Sequence, residues 1–301
     1  MAVPVLLLIL ILVSVVLSQV QGSIGGATAV GSVMTQAQAL ERILRDDFRR
    51  ISRDGFMVIK MRNIPGDTAA GSGYIPADQL MFFANGPWTS QKFITDDGLK
   101  RSEQANVARV WYGHLAKDDS GTNPPVGDTK DWILGRHALL IIPGRSDPDP
   151  DAPENIWDVE DIRSGLWDVL PGSMLDIRQL IASGSFEEEA CFRIYGKSTV
   201  DMGAANIRDQ AMLTSSVIAP NCASFKVEFF DGASWQRGVD NDEIFGYDRT
   251  VTPWWPELIR ITLKLHDGDG RMRDMAIDET DLVRQEELDG REFQFVLRVP
   301  D

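Results

Sequence analysis

The chain has 301 residues, 43% hydrophobic and 25% charged, with 15 Pro and 26 Gly. That composition belongs to a folded chain long enough for one large domain or two modest ones, and it excludes wholesale disorder. Lys plus Arg number 30 against 45 Asp plus Glu, and the resulting net charge of −15 repels phosphate backbones, so no nucleic-acid partner is expected.

The first element is apolar. Residues 2–20 read AVPVLLLILILVSVVLSQV, and no charged residue precedes Glu41. About 20 residues at 1.5 Å each are needed to cross a hydrocarbon core, and this run meets that length. A secretory signal would carry a positive n-region, and an ordinary spanning helix a basic flank; neither precedes the run. Residues 1–22 are therefore read as the apolar half of a helix, with Val3, Leu6, Leu8, Leu10, Leu12, Val15 and Leu17 as its membrane-anchoring residues.

Beyond it, apolar positions recur at Val30, Val33, Met34, Ala37, Leu40, Ile43, Leu44, Phe48 and Ile51, the spacing of a helix with one buried stripe. Glu41–Arg45 and Asp46–Arg50 form acid-first pairs at i, i+4 on the other face. The spacing predicts an amphipathic half over 23–54, helical to about Arg53 and stopped by Gly55. The two halves together span about 75 Å, with Gly22, Gly25, Gly26 and Gly31 weakening the middle. Leu40, Ile43, Leu44, Phe48 and Ile51 are expected to pack this half on a head formed by residues 55–301. The series Arg42, Arg45, Arg49, Arg50 and Arg53 is interleaved with acids and reads as a solvated helix face.

In the head, FMVIKM (56–61), QLMFFAN (79–85), ARVWYGHL (108–115) and HALLIIP (137–143) have the branched and aromatic content of strands. GRSDPDPDAPE (144–154) is an extended surface loop, because its prolines and aspartates cannot enter a sheet or helix interior. Helical spacing in IWDVEDIRSGLWDVL (156–170) and in LDIRQLIAS (175–183) suggests an inserted helical segment over 146–215. SGSFEEEACFRIYG (183–196) fits a strand or a short helix. Further on, FKVEFF (225–230), LIRITLKLHD (258–267) and REFQFVLRV (291–299) alternate apolar with polar, an antiparallel meander with one wet face. The expected fold class is α+β: a long N-terminal helix, apolar then amphipathic, and a mainly antiparallel head with that insertion.

Chemistry-bearing motifs are few. Cys191 and Cys222 have no CxxC partner, so they read as one disulfide closing about thirty residues in an oxidising compartment, or as two free buried thiols. Asp267, Asp269 and Asp274 invite a calcium reading, but the loop has Met272 at the glycine position and Asp278 at the final glutamate position. A hairpin turn is the expected reading there, with no metal. Asp147, Asp149, Asp151 and Glu154 read as a solvated acidic loop, and Glu187, Glu188 and Glu189 cannot converge on one point. Trp254-Trp255-Pro256 fits either an exposed contact patch or the core. No nucleophile elbow, HExxH, phosphate loop or GxGxxG occurs, so no catalytic residue and no cofactor is assigned.

The apolar-then-amphipathic helix, together with QLMFFANG, FKVEFFDGASW and WWPELIRITLKLHD, resembles the type IV pilin-like family. Within it, the last third of the chain resembles the minor (J-type) pseudopilins of type II secretion. That resemblance implies a non-enzymatic filament subunit: a single-pass inner-membrane protein with its head in the periplasm. Its partners would be other minor and major pseudopilins, the prepilin peptidase and an inner-membrane assembly platform. The family's prepilin leader, with its glycine and following Phe and Glu, is not seen, and an upstream start that restores it is expected. The alternative is a membrane-tethered or secreted extracytoplasmic enzyme or binding protein.

Overall fold

A computed structural model describes residues 2–65, 74–96, 99–115, 132–143, 169–175, 179, 217–237, 244–247, 255–267 and 290–300. For 2–23, 91–96, 99–101, 169–171 and 244 it describes the backbone alone. Helix α1 (Ala2–Phe48) leads into β1 (Met57–Lys60), β2 (Asn63–Pro65), β3 (Tyr74–Pro76), β4 (Gln79–Asp96), β5 (Leu99–His114) and β6 (Leu134–Ile142). Then come β7 (Val169–Pro171), β8 (Val217–Ala219), β9 (Cys222–Phe230), β10 (Trp235–Gln236), β11 (Ile244–Tyr247), β12 (Leu258–Leu265) and β13 (Arg291–Arg298).

The architecture corrects the α+β expectation. Most of it is β-sheet in three sheets, and on described side chains the helix is a single short one, residues 24–48. A seven-stranded sheet runs β11-β1-β4-β5-β6-β7 with β8 also on β6; a four-stranded sheet runs β10-β9-β12-β13; β2 and β3 pair alone. The strand content was underestimated because apolar runs mark only the buried centres of strands. The strand expected at 79–85 extends to Asp96 through polar residues, carried by pairing with β5 (Thr89↔Gln104, Phe93↔Ser102). Ladder hydrogen bonds propagate a hairpin whether or not its side chains are apolar.

The inserted helical segment is corrected in part as well. Val169–Pro171, expected as the end of a helix, is the strand β7, parallel to β6 through Leu140↔Val169. A β-branched residue followed by Leu-Pro suits a sheet edge, where proline's missing N–H is tolerated. Residues 156–168, 180–196 and the acidic loop 144–154 lie outside the described residues, whereas positions 174, 175 and 179 are helical.

Helix α1 also stops earlier than its periodicity predicts, at Phe48 rather than near Arg53. The backbone beyond it finds partners on β4 instead: Asn85 N–H donates to Arg50 O (2.7 Å) and Ser52 N–H to Phe83 O (2.8 Å). These bonds satisfy groups that a frayed helix end would leave to water.

The core is one cluster shared by α1 and both larger sheets. β9, β12 and β13 lie side by side and antiparallel, with Phe225, Val227, Ile259, Ile261, Leu263 and Leu265 all buried on one face. Asp78 ties the sheets together. Its carboxylate is fully buried and accepts from Arg62 N–H (2.9 Å), Val227 N–H (2.8 Å) and Arg237 (3.1 Å). Burial pushes this carboxyl up, while Arg237 and the backbone donors pull it back only in part.

Two glycines face each other where β5 meets β6, Gly113 opposite Gly135. A Cβ on Gly135 would run into the Leu115 side chain, and one on Gly113 into the Trp111 ring. Gly135→Ala is expected to destabilise the fold by about 1–3 kcal/mol, as overpacking does. The readout is a lower urea midpoint at unchanged m value.

Candidate functional site

The site of interest is the seat of α1 on the sheets. Ala29, Val33, Ala37, Leu40, Leu44 and Phe48 are buried along one stripe, each three or four residues from the next. Of the expected packing residues, Leu40, Leu44 and Phe48 lie in the core, Ile43 is half-buried, and Ile51 is buried past the helix end. Phe48 meets Phe82 edge-on at 5.3 Å, and Phe82 stacks on Tyr112 at 6.3 Å. Gln36 adds a polar tie, donating Nε2–H to Pro220 O (3.0 Å) in the turn after β8.

At the end of the stripe a carboxylate replaces a hydrophobe. Asp47 lies three residues past Leu44 and so on the same face, 4% exposed. Arg136 grips it with two parallel bonds, Nε to Oδ2 at 2.6 Å and a terminal nitrogen to Oδ1 at 2.8 Å. The Tyr112 hydroxyl donates to Oδ2 as well. Tyr112 and Arg136 are directly opposite each other on β5 and β6, so both reach the helix from one spot. Trp88 sits beside them, with the guanidiniums of Arg136 and Arg50 at 5.6 and 5.4 Å from its ring centre.

The electrostatics are those of a lock. Burial opposes the Arg136 charge, but the hydrogen bond and charge of Asp47 outweigh it and hold the guanidinium protonated beyond its usual range. Burial first, then the Asp47 charge, pushes the Tyr112 phenol well above its ordinary value. The one carboxylate is satisfied by three donor bonds from two strands, an arrangement that fixes the end of the helix on the sheet.

The anchor residues Val3, Leu6, Leu8, Leu10, Leu12, Val15 and Leu17 fall within the helical backbone of α1, but their side chains lie outside the described residues. Among the described residues no helix is long and apolar enough to cross a membrane, and none gather as three or more metal-ligating side chains. Of the calcium candidates only Asp267 is described; Asp269 and Asp274 lie in the undescribed connection between β12 and β13, which pair antiparallel as the arms of the expected hairpin. Cys222 is a buried free thiol pushed up to about 12 by burial, and Cys191 lies outside the described residues. Trp255 is buried in the core, whereas Trp254 and Glu187, Glu188 and Glu189 are not described.

His114 is fully buried against Trp132, its Nε2 bonded to Cys222 O at 2.9 Å. Burial pulls its pKa down from 6.5 to about 4. A depressed histidine stays neutral in the fold while the unfolded chain takes up a proton, so stability is lost as pH falls from about 6.5 toward 4. Between pH 6.5 and 5 the expected loss is about 2 kcal/mol at roughly 1.4 kcal/mol per unit. Urea titrations at both pH values check this, and His114→Gln should flatten the difference.

Tyr112, Arg136 and Asp78 escaped the sequence reading, and Asp47, one of the acids expected on the solvated helix face, is buried instead. Asp47 carried a signal, since the helical spacing of Leu40 and Leu44 puts it on the buried stripe. Nothing local marked its partners, which lie 65 and 89 residues away. Comparison with protein-family models, curated proteins and solved structures gives no match.

Proposed function

We propose that the protein is a minor pilin-like subunit of a type II secretion or related pilus-like machine, with a structural role. The observation that carries this reading is the seat of α1. The helix buries an apolar stripe on the sheets and ends in the Asp47 lock, while the same chain carries the uncharged run 2–20 ahead of that seat. Such a division gives a head that stays folded while the apolar half exchanges lipid for a bundle of like helices. Assembly would then exchange the lipid contacts of residues 2–20 for close packing against like helices of neighbouring subunits.

A photo-crosslinking amino acid at Leu10 tests it in cells producing such a machine. Adducts with other pilin-like proteins, from a chain that stays in the membrane fraction after an alkaline wash, are the expected result. A chain recovered in the wash, or one with no pilin-like adduct, would sink the proposal.

A further inference from the structure

The turn between β8 and β9, Pro220-Asn221-Cys222, is a corner to which four other parts of the chain are pinned. His114, at the end of β5, bonds Cys222 O through Nε2 (2.9 Å), and Cys222 N–H donates to Trp132 O (2.8 Å). His266 N–H, just past β12, donates to Asn221 O (2.9 Å), and Gln36 of α1 donates to Pro220 O (3.0 Å). The ladders are irregular on both sides of the corner. Register shifts between Leu134 and Gly135 where β6 meets β8, and between Lys264 and Leu265 where β12 meets Cys222. Asn221 itself holds a left-handed φ of 58°, which is unfavourable for a residue with a Cβ. A strained turn between two register breaks can open without the strands beyond it.

One of the four pins is sensitive to acid by construction. A carbonyl oxygen only accepts, so Nε2 of His114 carries the ring proton and Nδ1 is a bare lone pair. That Nδ1 is buried with no hydrogen-bond partner, and the ring meets Trp132 edge-on at 5.1 Å. A second proton would place a charge and an N–H where nothing accepts them. Among the described residues no charged side chain relieves this, burial and the Cys222 carbonyl being the only influences on the ring. On the same sheet, Arg136 lies two residues along β6 and is bonded to Asp47 of α1. From β9 comes the Cys222 thiol, which donates to Ser224 O (3.3 Å). α1 brings the uncharged Gln36 to the turn, and its Glu41 is held by Arg45. His266 offers the turn its backbone N–H.

The geometry points to an acid-operated latch: on taking a proton at Nδ1, His114 leaves its pocket for water and the Pro220–Cys222 corner opens. The opening is local. α1 keeps its packing on β13 and its Asp47 lock, and β9 stays paired with β12 from Ser224 onward. What reaches the surface is Cys222, fully buried while the latch is closed, and what α1 loses is the Gln36 tie. The closed ring ionises only near pH 4, whereas a ring in water does so near 6.5. Each unit of acid between those values therefore favours the open corner by about tenfold. The latch does not rest on the filament reading.

Cys222 is its own reporter. In the full chain with Cys191→Ser, held in detergent, it is the sole thiol, and 4,4′-dithiodipyridine labels it when it is exposed. The rate at each pH is referred to that of the urea-unfolded chain. Labelling is expected to quicken about tenfold per unit from pH 6.5 to 4.5, and to be unchanged by low urea because little surface opens. His114→Gln keeps a donor for Cys222 O and takes no proton, so its rate is flat with pH, whereas His266→Gln keeps the slope. Gln36→Ala, which removes one pin, is labelled severalfold faster at every pH. A parent rate that is flat from pH 6.5 to 4.5 overturns the latch, whether or not His114→Gln folds. So does a rate that climbs steeply with urea, which marks global unfolding, or a slope that disappears in His266→Gln. A Gln36→Ala chain labelled no faster than the parent overturns the tie between corner and helix.

Discussion

Arg136→Met is expected to destabilise the protein by about 3–5 kcal/mol, the usual result of leaving a buried charge without its partner. Asp47 is 4% exposed and takes two of its three donors from Arg136, so water cannot replace what is removed. Tyr112 alone would have to satisfy a full negative charge at the mouth of the core. The loss would appear as a lower urea midpoint at pH 7, together with faster proteolysis at the end of α1. The companion variant Asp47→Leu/Arg136→Met separates two explanations. It should recover most of the loss, because well-packed hydrophobes commonly replace a buried ion pair at little net change in stability. Recovery would show that the cost comes from the orphaned charge. A single variant within about 1 kcal/mol of the parent would show that the lock contributes little.

Phe48→Ala should have an effect of similar size, about 3–5 kcal/mol, for a different reason. Phe48 is 1% exposed and closes the stripe against Phe82, which in turn stacks on Tyr112. Truncation opens a cavity between helix and sheet, and close-packed neighbours relax into it only partly. Ile43→Ala is the internal control, since Ile43 is half-buried and should lose clearly less. Equal losses at the two positions would mean that the helix seats on another face. Denaturant midpoints of the detergent-solubilised full chain measure both.

Much of the seat was legible before any coordinates. Helical spacing marked Leu40, Leu44 and Phe48, because a buried stripe must recur every three or four residues whatever lies opposite it. Alternation marked the inward faces of β9, β12 and β13 for the same kind of reason, a side-chain period of two. These are properties of one element at a time, and one element's residues are neighbours in the chain.

Tertiary structure alone decided the rest. That the protein is mostly sheet came from long hairpin pairing through polar residues of β4 and β5, where hydrogen bonds and not hydropathy extend the strand. That α1 ends at Phe48 came from β4 offering better partners to Arg50 and Ser52 than another helical turn would. The charge of Asp47 on an apolar stripe made sense only once Tyr112 and Arg136 arrived from strands dozens of residues away. Local pattern determines which face of an element is buried, because periodicity is carried by the chain itself. What a buried polar group is bonded to depends on which strands fold beside it, and no local period records that.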